Sequence, residues 1–498
     1  MSPHASCPTA PLQARWGIVV SSAGIFAAAL AVLFLAGCGP SVNRYLLVET
    51  SLRAHDPKGA DAIIQRAEKE YGEKGQVLYG MDRGVLLQLA GDYQQSNAVL
   101  ERAEEELDRL YTRKIRTETL AILTNDTSLP YEGDPFEQVL INVLKAINYA
   151  LLGQWQDALV EGRRIDHRLN LLFDQTQEKN AYRDDAFARY LSGILYESTG
   201  DVNNAFIAYR KAFDAYEAIR PWSHTAVPSQ LRVDLMRTAE AMKFTQELGE
   251  YQQKFPDTKW ESRQALQQLA QVIVISYNGR APHKEDMFLD LPISLDALQL
   301  VLLNRGVAQA NRSPNKAVDS ALYGLNGRVV RVALPRLVSQ KSPVPVSSVS
   351  MIPENGTRVA ANMELVHNVT ALADKALSER MTGITVKALA RAATKFALAE
   401  GTTRAAQQAA GKDAGPLVGL LVGAVTKGLA VASEEADKRS WRTLPDEIQL
   451  ARVWVAPGRY QVEGLQAGGA SDPSKPEAMR TLSLGAGETV VLLQRVIP

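Results

Sequence analysis

The chain has 498 residues, with 55 Lys plus Arg against 55 Asp plus Glu, and is 46% hydrophobic and 22% charged. Equal numbers of opposite charges leave no global field for collecting nucleic acid, so no nucleic-acid partner is expected. The proportions are those of a globular chain rather than a disordered or multi-spanning one. Its two cysteines are Cys7 and Cys38, so everything downstream lacks a disulfide and must rely on buried core, for which roughly 460 residues give ample room.

The first element is an apolar run from Trp16 to Phe34, preceded by Arg15 as its only charge and followed by Leu35-Ala36-Gly37-Cys38. Small residues before the cysteine suit signal-peptide cleavage. The tetrapeptide resembles the lipobox of bacterial lipoproteins. That resemblance implies removal of residues 1–37, a diacylglycerol on the Cys38 thiol and acylation of the new amine. With Gly39 in place of Asp, it also implies an outer-membrane anchor facing the periplasm. Two or three acyl chains hold a protein stably where one is marginal. The competing reading is an uncleaved anchor, since the run approaches the ~18 to 20 residues that span a bilayer. Residues 38–55 then read as a tether.

From 56 to 258 the period is helical, punctuated by turns. The clearest unit runs from Phe187 to Asp214: around the turn glycine Gly200 stand Gly193, Tyr196, Ala205, Tyr209 and Ala212. Small residues let two antiparallel helices approach, aromatics fill the space between, and Gly200 closes the turn. This unit looks like a tetratricopeptide repeat (TPR). Gly91 (with Gly84, Leu87, Ser96, Leu100 and Ala103) and Gly153 (with Ala146, Tyr149, Ala158, Gly162 and Ile165) repeat the pattern less faithfully. The turn glycines lie 62 and 47 residues apart against ~34 in a regular array, so the array is irregular. The wider gap holds a turn-rich loop, 125–136. Residues 56–71 supply a first helix and 229–255 a closing one.

Near residue 270 the period changes. Val272–Tyr277 is a β-branched run ending at Asn278-Gly279, and further strands are expected at 328–334, 344–352, 357–366, 448–456, 459–465 and 488–496, with Pro457-Gly458 as a hairpin signal. The β region, 259–368 and 438–498, is split by an Ala/Gly/Thr-rich stretch, 369–437. Within it Gly415, Gly419 and Gly423 recur every fourth residue in the apolar segment 415–432, a spacing that allows close helix approach. The expected class is α+β: an irregular TPR-like α-solenoid, then a β-sandwich-like domain interrupted by an Ala/Gly-rich helical hairpin.

The lipobox, the repeat-like half, Pro-Tyr-Glu-Gly-Asp-Pro-Phe-Glu at 130–137, Gly-Arg-Ala-Pro-His-Lys at 279–284 and Asp-Lys-Arg-Ser-Trp-Arg-Thr-Leu-Pro at 437–445 occur in one order. Together they resemble a family of uncharacterised bacterial lipoproteins with a TPR-like amino-terminal half. The resemblance implies location and architecture and brings no activity.

Motifs for chemistry are weak. The six histidines (4, 55, 167, 224, 283 and 367) form no metal-binding pair, and no phosphate loop or nucleophile elbow occurs. Ser313-Pro314-Asn315-Lys316 matches a bare Ser-x-x-Lys without its partner motifs. Asp184-Asp185, Glu104-Glu105-Glu106 and Asp166-His167 read as solvated helix faces. No catalytic residue, metal or cofactor beyond the lipid is expected. Candidate binding residues are Tyr131 and Phe136, which with Pro135 either stand as exposed interface anchors or pack inside the repeat turn, and Trp441, placed to stack with Arg439 or Arg442 or to plug a core. These readings favour a non-enzymatic adaptor that holds an envelope protein or peptide on a face built from the first helices, near 79–90, 139–152 and 185–197. The alternative is a membrane-active or export assembly that uses 415–432.

Overall fold

A computed structural model describes residues 41–117, 129–175, 185–293, 328–340, 348–409, 435–463 and 480–497. Cys38, Ser313–Lys316 and the segment 415–432 lie outside them.

The helices, in chain order, are α1 (Val42–Arg53), α2 (Pro57–Arg66), α3 (Glu68–Tyr71), α4 (Gln76–Leu89), α5 (Tyr93–Thr117), α6 (Pro135–Leu151), α7 (Trp155–Gln175), α8 (Ala186–Ser198), α9 (Val202–Ser223), α10 (Ser229–Ala241), α11 (Thr245–Lys254), α12 (Arg263–Leu266) and α13 (Val369–Ala409). The stretch expected as a tether therefore contains a helix, α1, which buries Tyr45 and Val48. In the α8/α9 pair, Ala205, Tyr209 and Ala212 are fully buried. Gly193 is required there, because a Cβ would come within 2.3 Å of the Tyr209 ring.

The three expected turns share one hydrogen-bond pattern. The Gly91, Gly153 and Gly200 amides donate to the carbonyls of Gln88, Ala150 and Glu197, and the next amides donate to Leu87, Tyr149 and Tyr196. This is the Schellman ending of a helix, with a left-handed residue at its corner. Two more pairs, α1/α2 and α10/α11, end in the same way. His55 and Lys243 donate to Leu52 and Glu240, and Asp56 and Phe244 to Ser51 and Ala239. Their corner residues sit at φ 55° and 60°, a conformation that costs an L-residue roughly 1–2 kcal/mol. The closing segment 229–255 is thus two helices rather than one. Because glycine also loses more chain entropy on folding, Lys243→Gly is expected to raise the unfolding free energy by about 0.5–1 kcal/mol. Urea denaturation checks this, and an unchanged or lowered midpoint would mean that the lysine is not strained.

Within the array, α5, α6 and α7 are tied by a buried ammonium. Lys145, 1% exposed, pairs with Glu101, with Glu104 at 2.8 Å and with Glu161 at 3.2 Å. Glu104, expected on a solvated face, is therefore buried and paired, whereas Glu105 is exposed. Asp185 is likewise no solvated carboxylate: it caps α8 by accepting from the Ala188 amide at 2.8 Å.

The strands are β1 (Ala270–Asn278), β2 (His283–Ile293), β3 (Arg328–Val338), β4 (Ser348–Pro353), β5 (Val359–Asn362), β6 (Glu364–Asn368), β7 (Glu447–Val455), β8 (Gly458–Glu463), β9 (Arg480–Leu484) and β10 (Thr489–Val496). They form sheets ordered β10-β1-β7-β6, β2-β3 and β5-β4-β8-β9, all pairings antiparallel except β1 with β10. Pro457-Gly458, expected as a hairpin, instead carries the chain from the first sheet to the third. The stretch 357–366 does the same in reverse, as two strands joined at Met363.

The first sheet is covered on both faces. Ile273, Ile275 and Tyr277 of β1 belong to the core of the helices, while Val272 and Val274 share a second core with Val349, Met351, Tyr460, Val462 and Leu484 of the third sheet. Every residue of β1 is consequently buried, the condition that produces an unbroken apolar run instead of alternation. The expected insertion begins as α13, a 41-residue helix. Its Ala388 and Ala392 pack on Val332 and Leu334 of β3. The second arm of the expected hairpin lies outside the described residues. Among the described residues no helix is long and apolar enough to cross a membrane.

Candidate functional site

The surface expected to receive a partner is not free. The first helices α4, α6 and α8 are buried along most of their lengths, and their apolar residues lie in one core with Ile273, Ile275, Tyr277, Ile448 and Leu450 of the first sheet. Tyr277 reaches across to donate to the Gln88 side chain of α4 at 3.0 Å. The chain's own sheet fills the face that a solenoid would offer to a ligand. At that junction lie three polar clusters.

The first gathers the three segments singled out in the sequence. Asp134 and Glu137 form a capping box at the start of α6. Lys284 donates to Asp134 at 3.0 Å and Arg380 of α13 at 2.6 Å. Burial works to raise the Asp134 pKa, but the two cations overcome it and hold the group below its ordinary value. Glu137 accepts from the Tyr131 hydroxyl at 2.6 Å and from the Trp441 amide at 2.9 Å. Burial, then the neighbouring Asp134, push it up to about 7 in spite of those donors.

This geometry corrects the sequence reading of the candidate residues. Tyr131 and Phe136 are 6% and 2% exposed, so of the two readings they pack inside and are not exposed anchors, because the capping box turns their loop inward over α6. Trp441 is 1% exposed and is the plug of this junction. Its indole N–H donates to Thr443 at 3.0 Å. The flanking guanidiniums stack elsewhere, Arg439 over Tyr131 at 5.4 Å and Arg442 over Tyr45 at 4.6 Å.

The second cluster surrounds Asp82 of α4, which is fully buried. It accepts from Tyr45 and Tyr71 at 2.7 Å each and from Thr443 at 2.9 Å. Burial pushes its pKa up to about 6 against these donors.

The third is centred on Arg452 of β7. Nη1 donates to Asp234 at 2.6 Å and Tyr209 at 3.1 Å, and Nη2 to Glu197 at 2.9 Å. The Gln271 amide, turned so that its oxygen faces the guanidinium, accepts from Nη2 at 2.6 Å and Nε at 2.7 Å. All five donors of the guanidinium are thereby used. Arg237 of α10 also bonds to Glu197 and Asp234, and Arg237 and Arg452 both lie over Trp454, at 5.1 and 4.9 Å. Burial raises the Glu197 pKa, but Arg452 and then Arg237 outweigh it and hold the carboxyl far below its ordinary range. Sequence reasoning missed Arg452, Glu197, Asp234 and Asp82. A charge inside the apolar run Ile448–Val455 was the available signal, since a buried strand tolerates arginine only with partners.

A pH dependence follows for Glu137. A carboxyl whose folded pKa is raised contributes stability that is fully present below its unfolded pKa and lost as pH rises through the folded value, at about 1.4 kcal/mol per unit. His283 and His367, whose pKa values burial lowers, act in the opposite direction on the acid side of their ordinary range. The contribution of Glu137 is therefore isolated by difference. The stability of the wild type minus that of Glu137→Gln is expected to fall between pH 5 and 8 in urea titrations. A difference that rises over that range would contradict the assignment.

Among the described residues, no three His, Cys, Asp or Glu side chains are grouped to hold a metal ion. The clusters are suited to fixing elements against one another. No protein-family model matches the chain, and the search of curated proteins returned no match. Solved structures similar to parts of it include the MamA RS-1 ArsTM double mutant, at 16% identity over 44% of this chain and 96% of that one, with a TM-score of 0.28. MamA 41-end from Desulfovibrio magneticus RS-1 is similar at 16% identity over 43% of this chain and 92% of that one, with a TM-score of 0.26.

Proposed function

We propose that this chain is an outer-membrane-anchored, periplasm-facing lipoprotein that serves as a non-enzymatic scaffold for an envelope protein or peptide, tethered through acyl chains on Cys38. The observation that carries the scaffold reading is how the buried charges are used. Asp134, Glu197 and Asp234 are each held by cations from other helices or strands, and Asp82 by hydroxyls from three separate segments. Such an arrangement holds one shape and leaves these groups no freedom to exchange protons with a substrate.

Because the sheet occupies the first-helix face, this reading moves the partner to the outward sides of the second helices, where Glu105 of α5 and Val160 and Arg163 of α7 are exposed. The tether is supported by α1, which begins four residues after Cys38 and exposes Val42, Leu46 and Leu47 at 62%, 52% and 51%. Apolar side chains that near an acylated cysteine add area that a bilayer can bury.

Two measurements test the two parts. Cys38→Ser is expected to abolish palmitate incorporation and to release the chain from membranes. Normal labelling, or unchanged membrane retention, would sink the anchor. Cross-linking in native envelopes with a carboxy-terminally tagged chain should capture a partner that Glu105→Arg with Arg163→Glu no longer captures. Equal capture by that variant would remove the second-helix surface from the reading.

A further inference from the structure

Beside the junction, sharing Tyr45 and Thr443 with its second cluster, is a part-open hollow of about 40 Å³, lined also by Glu49 of α1, Arg280, Gln340, Arg442 and Arg495. Three guanidiniums therefore border one small space, with Glu49 as the carboxylate among its lining residues. Arg280 is paired with Glu49, and Arg53 shares that same carboxylate at 2.8 Å. Arg442 has no carboxylate partner among the described residues and rests on the Tyr45 ring. Arg495 spends Nη2 on the Leu444 carbonyl at 3.1 Å, while its Nε and Nη1, shut off from solvent, have no partner among the described residues.

Unpartnered buried N–H donors on a cation are costly, and an anion close by offsets that cost. An arginine fork is shaped to give two parallel N–H donors to the oxygens of one anion. We propose that this hollow is an oxyanion site that takes a phosphate group through Arg442, with Arg280 and Arg495 supplying further positive charge. The positive character of the region is felt by its neighbour His283, whose pKa is lowered by burial and then by Arg442, with Arg280 adding to it. The phosphate has two sources, a soluble ion or the headgroup of a phospholipid. The apolar, exposed Val42, Leu46 and Leu47 lie on the same helix that turns Tyr45, Glu49 and Leu52 into the hollow, which makes the lipid source geometrically open. The site does not depend on Cys38 being acylated.

The test is calorimetric titration of the full chain in zwitterionic detergent with inorganic phosphate at constant ionic strength. Saturable binding is expected in the wild type, at least tenfold weaker in Arg442→Gln, a residue that gives up no ion pair among the described residues, and tighter in Glu49→Gln, which removes the competing carboxylate. A merely structural role for Arg442 would not invert on loss of Glu49. Absence of saturable binding in the wild type, or equal affinity in Arg442→Gln, overturns the proposal. Titration with soluble dihexanoyl phosphatidylglycerol then separates the sources: tighter binding than phosphate assigns the headgroup, weaker binding assigns the free ion, and either result upholds the site.

Discussion

Replacing Arg452 with methionine is expected to destabilise the protein by about 3–5 kcal/mol, the range for removing one partner from a buried ion network. The magnitude follows from what is left behind. Glu197 and Asp234 would both lose a charged donor, at 2.9 and 2.6 Å, Asp234 in a place that water does not reach and Glu197 at its edge. Arg237 remains to serve them, but its single fork already contacts both. Arg452→Lys keeps the charge and loses the fork, so it should recover only part of the loss. Because Glu197 is held ionised chiefly by this arginine, the variant should also lose stability at a higher pH than the wild type on acidification: the stability that a depressed carboxyl contributes is present above its unfolded pKa and disappears as pH falls through the folded value. Urea denaturation across pH 3 to 7 measures both effects. A loss below about 1 kcal/mol at pH 7 would mean that the network is solvated and the junction loose.

Trp441→Ala is expected to cost a similar amount, about 3–5 kcal/mol, through the lost apolar burial and the cavity it leaves. Trp441 is 1% exposed and stands where α4, α6 and the segment entering β7 meet: its amide bonds to Glu137 and its indole to Thr443, which in turn bonds to Asp82. The alanine variant keeps the amide donor and loses the indole, so Thr443 loses one partner and the two capping carboxylates of α6 lose their cover. Trp441→Phe restores most of the volume and should cost less than half as much. Chemical denaturation of both variants distinguishes them. If phenylalanine and alanine were equally damaging, the hydrogen bond to Thr443 rather than the packing would be the source of the effect.

The parts legible in the sequence are those written in local chemistry. Gly91, Gly153 and Gly200 declared their turns because a left-handed corner favours glycine. His55 and Lys243 adopt the same corner and declared nothing, so two of the hairpins were invisible. The strand β1 was readable from its β-branched run, whereas β2, with His283, Lys284, Glu285 and Asp286 at its start, carries the charges that bind Asp134 and Asp286's own partner Lys438 and so lacks an apolar signature. The three segments 130–137, 279–284 and 437–445 stood out in the sequence, and they meet around Asp134, Glu137 and Trp441. There Tyr131 and Phe136 take the packed role and not that of exposed anchors: the aromatics face inward. No local pattern could have revealed this, since burial of the first helices depends on a sheet that begins only at Ala270. A sequence with open solenoid faces and one with filled faces need the same helical period.

The account rests on the sheet and the helical array being one folding unit. Hydrogen exchange of the full chain by mass spectrometry, compared between wild type and Arg452→Met, tests this most directly. The account expects the peptides of β1 and those of α4, α6 and α8 to lose protection together in the variant, by a similar free energy. Helices that keep wild-type protection while the sheet opens would contradict it and return the first-helix face to solvent.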